Sequence, residues 1–213
     1  MRRLISASLV LAAGSALPAA AEPMPLPKVD YSVTYQVQPG GHLMTMAHHD
    51  GKMRMDMTEQ GQAMTGLMDL HSNKMVVLMS APVKMAFEMD MSQPMPGMTG
   101  PGAGLSPQQM MTEADVKLSP LGTKTIAGHS CTYYSAVGTL GGETAESKVC
   151  LTGDNVMLYS ETVDQGKTYV IAASHVDLGP QDPARFRVPP GYQVMPMQQM
   201  LQGLGGLPGL PVQ

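Results

Sequence analysis

His42-Leu43-Met44-Thr45-Met46-Ala47-His48-His49-Asp50-Gly51-Lys52-Met53-Arg54-Met55-Asp56-Met57 is the stretch on which the fold turns. After Asp50-Gly51 the residues alternate strictly, with Met53, Met55 and Met57 against Lys52, Arg54 and Asp56. Before it, Met44, Met46 and His48 fall on one parity. A period of two marks a half-buried β-strand. Asp-Gly is the strongest short hairpin signal, because a type I′ turn needs positive φ at both central positions. Centring the hairpin on Asp50-Gly51 sets Met46 opposite Met55, Met44 opposite Met57 and His48 opposite Met53.

The pattern extends in both directions. Upstream, Val29 to Val37 places Val29, Tyr31, Val33, Tyr35 and Val37 on one face, and Pro39-Gly40 turns the chain. That turn sets Tyr35 opposite Met44 and Val33 opposite Met46. Downstream, Gln60-Gly61 and Ser72-Asn73 bound strands at Ala63–His71 and Lys74–Ser80, and Lys84–Met91 follows Pro82. The Gln60-Gly61 turn pairs Met57 with Met64 and Met53 with Met68. The Ser72-Asn73 turn pairs Leu70 with Met75 and Met68 with Val77. A one-residue slip at any turn would throw these side chains to the wrong face. The expected result is a sheet with one face covered in thioethers.

Residues 92–112 break the pattern with Pro94, Pro96, Gly97, Gly100, Pro101, Gly102 and Gly104. Within them only Ser106-Pro107 offers a helix start, with Ser as cap and Pro at the first position. Strands resume at Asp115–Leu118, Thr123–Ile126, Ser130–Val137, Glu146–Thr152, Val156–Val163 and Lys167–Asp177. The chain therefore reads as all-β with minor α, a curved antiparallel meander. Its expected organisation is a leader at 1–21, an N-terminal extension at 22–28 and one domain at 29–194 with the Pro/Gly/Met-rich insert 92–112. The Gln, Gly, Leu and Pro composition of 195–213 predicts a disordered tail.

Composition bounds the function. With 13 Lys plus Arg against 17 Asp plus Glu, the formal charge is −4, which disfavours a nucleic-acid binder. No stretch approaches the roughly 18 apolar residues of a membrane span. Arg2 and Arg3, the apolar run Leu4 to Ala13 and Ala19-Ala20-Ala21 read as a secretory signal cleaved near Ala21/Glu22. The expected location is periplasmic or secreted. The two cysteines, Cys131 and Cys150, suit that compartment. A hairpin centred between Leu140 and Gly141 would set them directly opposite each other as a disulfide; two buried free thiols are the alternative.

Methionine is the unusual feature. It contributes 22 residues, 17 of them within 24–111, while Phe contributes only 2 and Trp none. Three readings compete. In the first, Met fills an ordinary core in place of Leu and Phe, and the chain is a structural envelope protein without a ligand. Alternatively, Met44, Met46, Met53, Met55, Met57, Met64 and Met68 form the wall of a deformable site for a lipid-like or other apolar ligand, with 92–112 as a flap. Or Met46, His48, Met53 and Met55 bind Cu(I) or Ag(I), since thioethers select soft metals. The first two readings need no cofactor. His48 and His49 point to opposite faces of one strand, so they do not share an ion readily. Gly128-His129-Ser130-Cys131 lacks the spacing of a nucleophile elbow. No phosphate loop, paired carboxylates or zinc-protease motif is present, so the sequence predicts a protein that is not an enzyme.

Several short motifs carry a resemblance. They are Gly51-Lys52-Met53-Arg54-Met55, the strand Lys74–Met79, and Gly122 followed by Ile126-Ala127-Gly128-His129-Ser130-Cys131-Thr132. Val149-Cys150-Leu151-Thr152, Val156-Met157-Leu158 and Phe186-Arg187-Val188-Pro189-Pro190-Gly191-Tyr192 complete the set. In these the chain resembles a family of uncharacterised exported bacterial proteins, a domain of unknown function near the lipoprotein-carrier (LolA/LolB-like) superfamily. The resemblance spans about residues 29–194. It implies an unclosed antiparallel half-barrel with an apolar concave face, which in the carriers shelters acyl chains. The insert 92–105 is no evident helical lid, and a Met-rich lining departs from the usual aliphatic and aromatic one. No functional residue of that family maps onto this chain.

Overall fold

The structure is a computed structural model and describes residues 22–59, 61–80, 83–94, 106–109, 115–140, 143–197 and 199. The leader at 1–21, the Gly141-Gly142 turn, most of the insert and the tail beyond 199 lie outside the described residues. The first meander comprises β2 (Tyr31–Gln38), β3 (His42–His49), β4 (Lys52–Glu59), β5 (Gln62–Asp69), β6 (Lys74–Met79) and β7 (Met85–Asp90). The second comprises β8 (Asp115–Ile126), β9 (His129–Leu140), β10 (Glu143–Leu151), β11 (Met157–Asp164) and β12 (Lys167–Leu178). Two short strands, β1 (Glu22–Pro23) and β13 (Gln193–Pro196), complete a single sheet. Its order is β1-β8-β9-β10-β11-β12-β2-β3-β4-β5-β6-β7-β13. The β12–β2 pairing stitches the two meanders together, and the ends do not meet. The molecule is the curved, unclosed, mostly antiparallel half-barrel expected.

Registers around Pro39-Gly40, Asp50-Gly51 and Gln60-Gly61 are those the sequence implies. Tyr35 faces Met44, Met46 faces Met55, and Met57 faces Met64. Asp50 and Gly51 have φ of 46° and 68°, as a type I′ turn requires. The β5–β6 register differs by two residues: Met68 faces Met75 and Gly66 faces Val77. Here the turn is the longer loop between Asp69 and Lys74, shaped by the Asp69 carboxylate, which accepts from the backbone N–H of His71 and Ser72. A shift of two preserves every face assignment while changing every partner.

Three other departures have local causes. The segments 115–118 and 123–126 form one strand, because Leu121 bulges out between the pairs Pro120–Tyr134 and Gly122–Tyr133. A bulge accommodates proline, which has no N–H to donate. The Cys131–Cys150 disulfide is present, with Cα atoms 5.5 Å apart, but it is diagonal. Glu143 faces Leu140, so Cys150 stands opposite Tyr133 instead of Cys131. Finally, Met195 and Pro196, expected in the tail, belong to β13, which runs parallel to β7.

The two faces of the first meander are buried differently. On the outer face Leu67, Leu78 and Ala86 are buried beneath Val188 and Tyr192 of the C-terminal segment. A short 3-10 turn at Pro183–Phe186 anchors that segment, capped by Asp182, whose carboxylate accepts from Ala184 N–H at 2.9 Å. Arg54 on β4 donates to the Arg185 carbonyl at 2.7 Å and pairs with Asp56 at 2.6 Å. Phe186 packs on the His49 ring. Ser106 and Gln109 form a reciprocal capping pair, Ser106 Oγ accepting from Gln109 N–H at 3.1 Å. The backbone N–H of Gln108 donates to the carbonyl of the fully buried Met91.

Candidate functional site

The inner face is defined by contacts that skip strands. The Tyr35 hydroxyl on β2 donates to the Met157 carbonyl on β11 at 2.7 Å, across the intervening β12. Tyr31, Val33 and Tyr35 share one buried cluster with Cys131, Cys150, Val156, Leu158 and Ala173, and Met44 and Met46 pack against it. Only a concave face lets strands that are not neighbours touch in this way.

That concave face carries the expected wall. Successive cross-strand pairs generate three rows running across β3 to β7. The first is Met44, Met57, Met64, Met79 and Met85. The middle row is Met46, Met55, Gly66, Val77 and Phe87. The third is His48, Met53, Met68, Met75 and Met89. All seven methionines expected on the wall share the face, and every one is half-buried. Met75, Met79, Met85 and Met89 extend it, each also half-buried. Their signal was the same two-residue period, running on through Lys74–Met79 and Met85–Met89.

Gly66 interrupts the middle row. Gly66 sits in ordinary strand conformation with no positive φ, and a Cβ there would meet only the methyls of Met75 at 3.7 Å and Met55 at 3.9 Å. Neither a turn nor a close backbone approach therefore requires glycine. Within a strand glycine weakens the structure by roughly 0.5–1 kcal/mol relative to alanine. Its effect here is that the methyls of Met55 and Met75 close over the place a side chain would take.

At the β2–β3 end the face runs into a cavity of about 240 Å³, lined by Met24 to Pro27, Tyr31, Tyr35, Met46, Leu151, Asn155 and Met157. Its roof is the segment Met24-Pro25-Leu26-Pro27. The Asn155 carboxamide donates to the Leu26 carbonyl at 3.1 Å, and Lys28 N–H to the Asp154 carbonyl at 2.9 Å. Upstream, Glu22–Pro23 pairs with β8. Burial pushes the Tyr31 hydroxyl up to about 12 and raises that of Tyr35 further, so both stay neutral and the cavity floor carries no charge. Sequence patterning alone missed this cavity, because nothing local announces the β12–β2 pairing that builds it.

The proposed metal set forms a two-by-two patch on β3 and β4, His48 facing Met53 and Met46 facing Met55. His48 Nδ1 lies 3.1 Å from the Val29 carbonyl, which can only accept. A hydrogen bond there places a proton on Nδ1, which makes Nε2 the ring atom available to ligate a metal. The ring also stacks on Tyr31. His49 Nδ1 lies 2.6 Å from one Asp30 carboxylate oxygen, and His48 Nδ1 lies 3.9 Å from the other. Among the described residues no group of three or more His, Cys, Asp or Glu could hold a metal ion.

Carboxylates away from the wall set the acid response. The hydrogen bond from His49 holds Asp30 below its usual range. Burial works against ionisation of Asp56, but hydrogen bonds from Arg54 and Thr65 outweigh it and lower the pKa. The Tyr159 hydroxyl and then Lys148 do the same for Glu161. Folded carboxyls with lowered pKa bind fewer protons than the unfolded chain, so their contribution is complete above about pH 4 and is lost as pH falls through the folded values. Urea midpoints should therefore drop as pH falls below about 4, and Asp56→Asn should flatten that slope.

No helix among the described residues is long and apolar enough to cross a membrane. No family model and no curated protein matches the chain. Among solved structures, PNGF-II in a C2 crystal form is similar with a TM-score of 0.50 and 12% identity, over 84% of this chain and 33% of that one. Its P21 form gives 0.48 and 12%, over 84% and 34%. The Pseudomonas aeruginosa MucA/MucB complex gives 0.40 and 13%, over 79% and 59%. The chain thus spans about a third of the length of PNGF-II, and what it has in common with that protein is the fold.

Proposed function

We propose that this chain is a non-enzymatic exported protein that holds a lipid-like or other apolar ligand on its thioether face. One observation carries the reading: eleven methionines line the concave side of β3–β7, all half-exposed, while the outer side of the same strands is closed by the chain's own C-terminal segment. Unbranched, polarisable side chains adapt to varied apolar shapes, which suits a site rather than a jigsaw core. The disulfide fits an oxidising compartment.

A second reading, Cu(I) or Ag(I) binding by Met46, His48, Met53 and Met55, is favoured by the tautomer that Val29 imposes on His48. Replacing Met53 and Met55 by Leu separates the two. The exchange is nearly volume-conserving, so binding of the neutral fluorophore N-phenyl-1-naphthylamine should change by less than about threefold. Cu(I) retention against a competing chelator should be unaltered as well if the apolar reading is right. Naphthylamine binding lost in wild type, with Cu(I) retained there and released by the Leu variant, would establish the metal reading in its place.

A further inference from the structure

We infer that the thioether wall is a modification site: two-electron oxidants of the peroxide class convert its methionines to sulfoxides while the sheet stays folded, and the concave face turns from apolar to polar. The oxidation itself needs no ligand; its consequence, release of an apolar ligand, rests on the apolar-ligand reading. The first observation is a complete partition. In β3 to β7 all eleven methionines lie on the concave face, whereas Leu43, Leu67 and Leu78 lie on the outer one. Leucine would make an equally apolar wall of nearly the same volume. What methionine adds is a sulfur lone pair open to oxidants.

The second observation is how little of the core the wall holds up. Leu67, Leu78 and Ala86 pack on Val188 and Tyr192 without a methionine, and of the wall only Met44 and Met46 pack against the buried cluster around Tyr35. The cluster around Ala136 and Val149 takes only Met157. Among the described residues, nine wall methionines therefore stand outside all three buried clusters. Every wall methionine is half-exposed, while Met91 is fully buried. Sulfoxide in a core disrupts packing; here it falls on side chains those clusters do not need. No thiol or indole competes for the oxidant, because both cysteines are in the disulfide and the sequence holds no Trp.

The sulfur lone pair attacks one oxygen of the peroxide, the O–O bond breaks and an S–O bond forms. The thioether gives up two electrons, and the other peroxide oxygen leaves as water with both protons. Each sulfoxide oxygen is a hydrogen-bond acceptor, yet His48 is the only polar side chain in the three rows. Water therefore satisfies the new oxygens, and an apolar ligand laid over them strips that water without supplying a donor. The return is a dithiol reaction, in which sulfoxide and two thiols give thioether, a disulfide and water.

The test is graded hydrogen peroxide, with each methionine read by peptide mass spectrometry, the sheet by far-ultraviolet circular dichroism and binding by N-phenyl-1-naphthylamine. Wall methionines should oxidise at least about tenfold faster than Met91 with the dichroism unchanged, and naphthylamine affinity should fall at least about tenfold. Methionine sulfoxide reductases of both epimer specificities, with thioredoxin as the dithiol donor, should restore affinity to within about twofold. Under the same peroxide, Met55→Leu/Met64→Leu/Met68→Leu/Met75→Leu, a nearly volume-conserving exchange around Gly66, should lose at least about threefold less affinity than wild type. Met91 oxidising as fast as the wall, or dichroism lost in step with the first sulfoxides, would overturn the modification site whether or not naphthylamine binds. A fully oxidised wall with unchanged affinity would overturn the release of ligand. An untreated protein that does not bind naphthylamine would overturn the apolar-ligand reading alone, since the mass spectra decide the modification site without it.

Discussion

Met55→Asp and Met68→Asp should each lower affinity for a neutral apolar probe by at least about a hundredfold, while Met55→Leu and Met68→Leu stay within about threefold of wild type. Met55 and Met68 occupy the middle and third rows beside Gly66, so a ligand on this face covers both. A carboxylate there must lose its water when the ligand binds and gains no partner. An unpaired polar or charged group forced out of water costs several kcal/mol, and about 2.7 kcal/mol is already a hundredfold. Aspartate makes the sharper probe because its short stem cannot lift the charge to the rim as lysine could. Naphthylamine titration checks affinity, and far-ultraviolet circular dichroism checks that the sheet persists. Equal affinity in the Asp and Leu variants would remove the ligand from this face.

Losing the disulfide should have the largest effect on stability. Cys131 and Cys150 are separated by 19 positions in sequence, and closing a loop of this length contributes about 3 kcal/mol on the chain-entropy model. Both half-cystines are buried with Val33, Tyr35 and Leu158, where β9 and β10 meet the strands that stitch the meanders. For a domain of this size about 2–4 °C accompanies each kcal/mol, so Cys131→Ala/Cys150→Ala should melt roughly 6–12 °C lower. Scanning calorimetry reads this directly. An unchanged midpoint would mean that the β12–β2 seam needs no staple.

The first meander was legible because every signal in it is local. Asp50-Gly51 fixes one hairpin, and alternation of Met with Lys, Arg and Asp makes any odd slip visible. The error at β5–β6 shows the limit of that logic. Parity distinguishes faces, but a shift of two leaves parity intact, and only the Asp69 loop decides between Met75 and Val77 as the partner of Met68. The disulfide was misplaced in the same way, by two residues along an otherwise correct hairpin.

What stayed illegible is long-range. Nothing around Tyr35 signals that it will stand beside Ala173, or that its hydroxyl will reach Met157. The cavity roofed by residues 24–27 exists only because of those contacts. Likewise Val188 and Tyr192 belong to a motif that carries the resemblance, but nothing local signals that they close the outer face over Leu67 and Leu78. Without that cover the alternation alone leaves open which face is core and which is site.

The account stands on the concave thioethers meeting an apolar chain, and methyl-carbon-13 methionine NMR addresses it most directly. On titration with 1-monolauroylglycerol, the resonances of Met44, Met46, Met53, Met55, Met57, Met64, Met68, Met75, Met79, Met85 and Met89 should supply the shifting set, together with Met24 and Met157 at the cavity. Met91, fully buried at the end of β7, should stay in place. A spectrum unchanged at saturating lipid, or one in which Met91 moves and the wall does not, would contradict it.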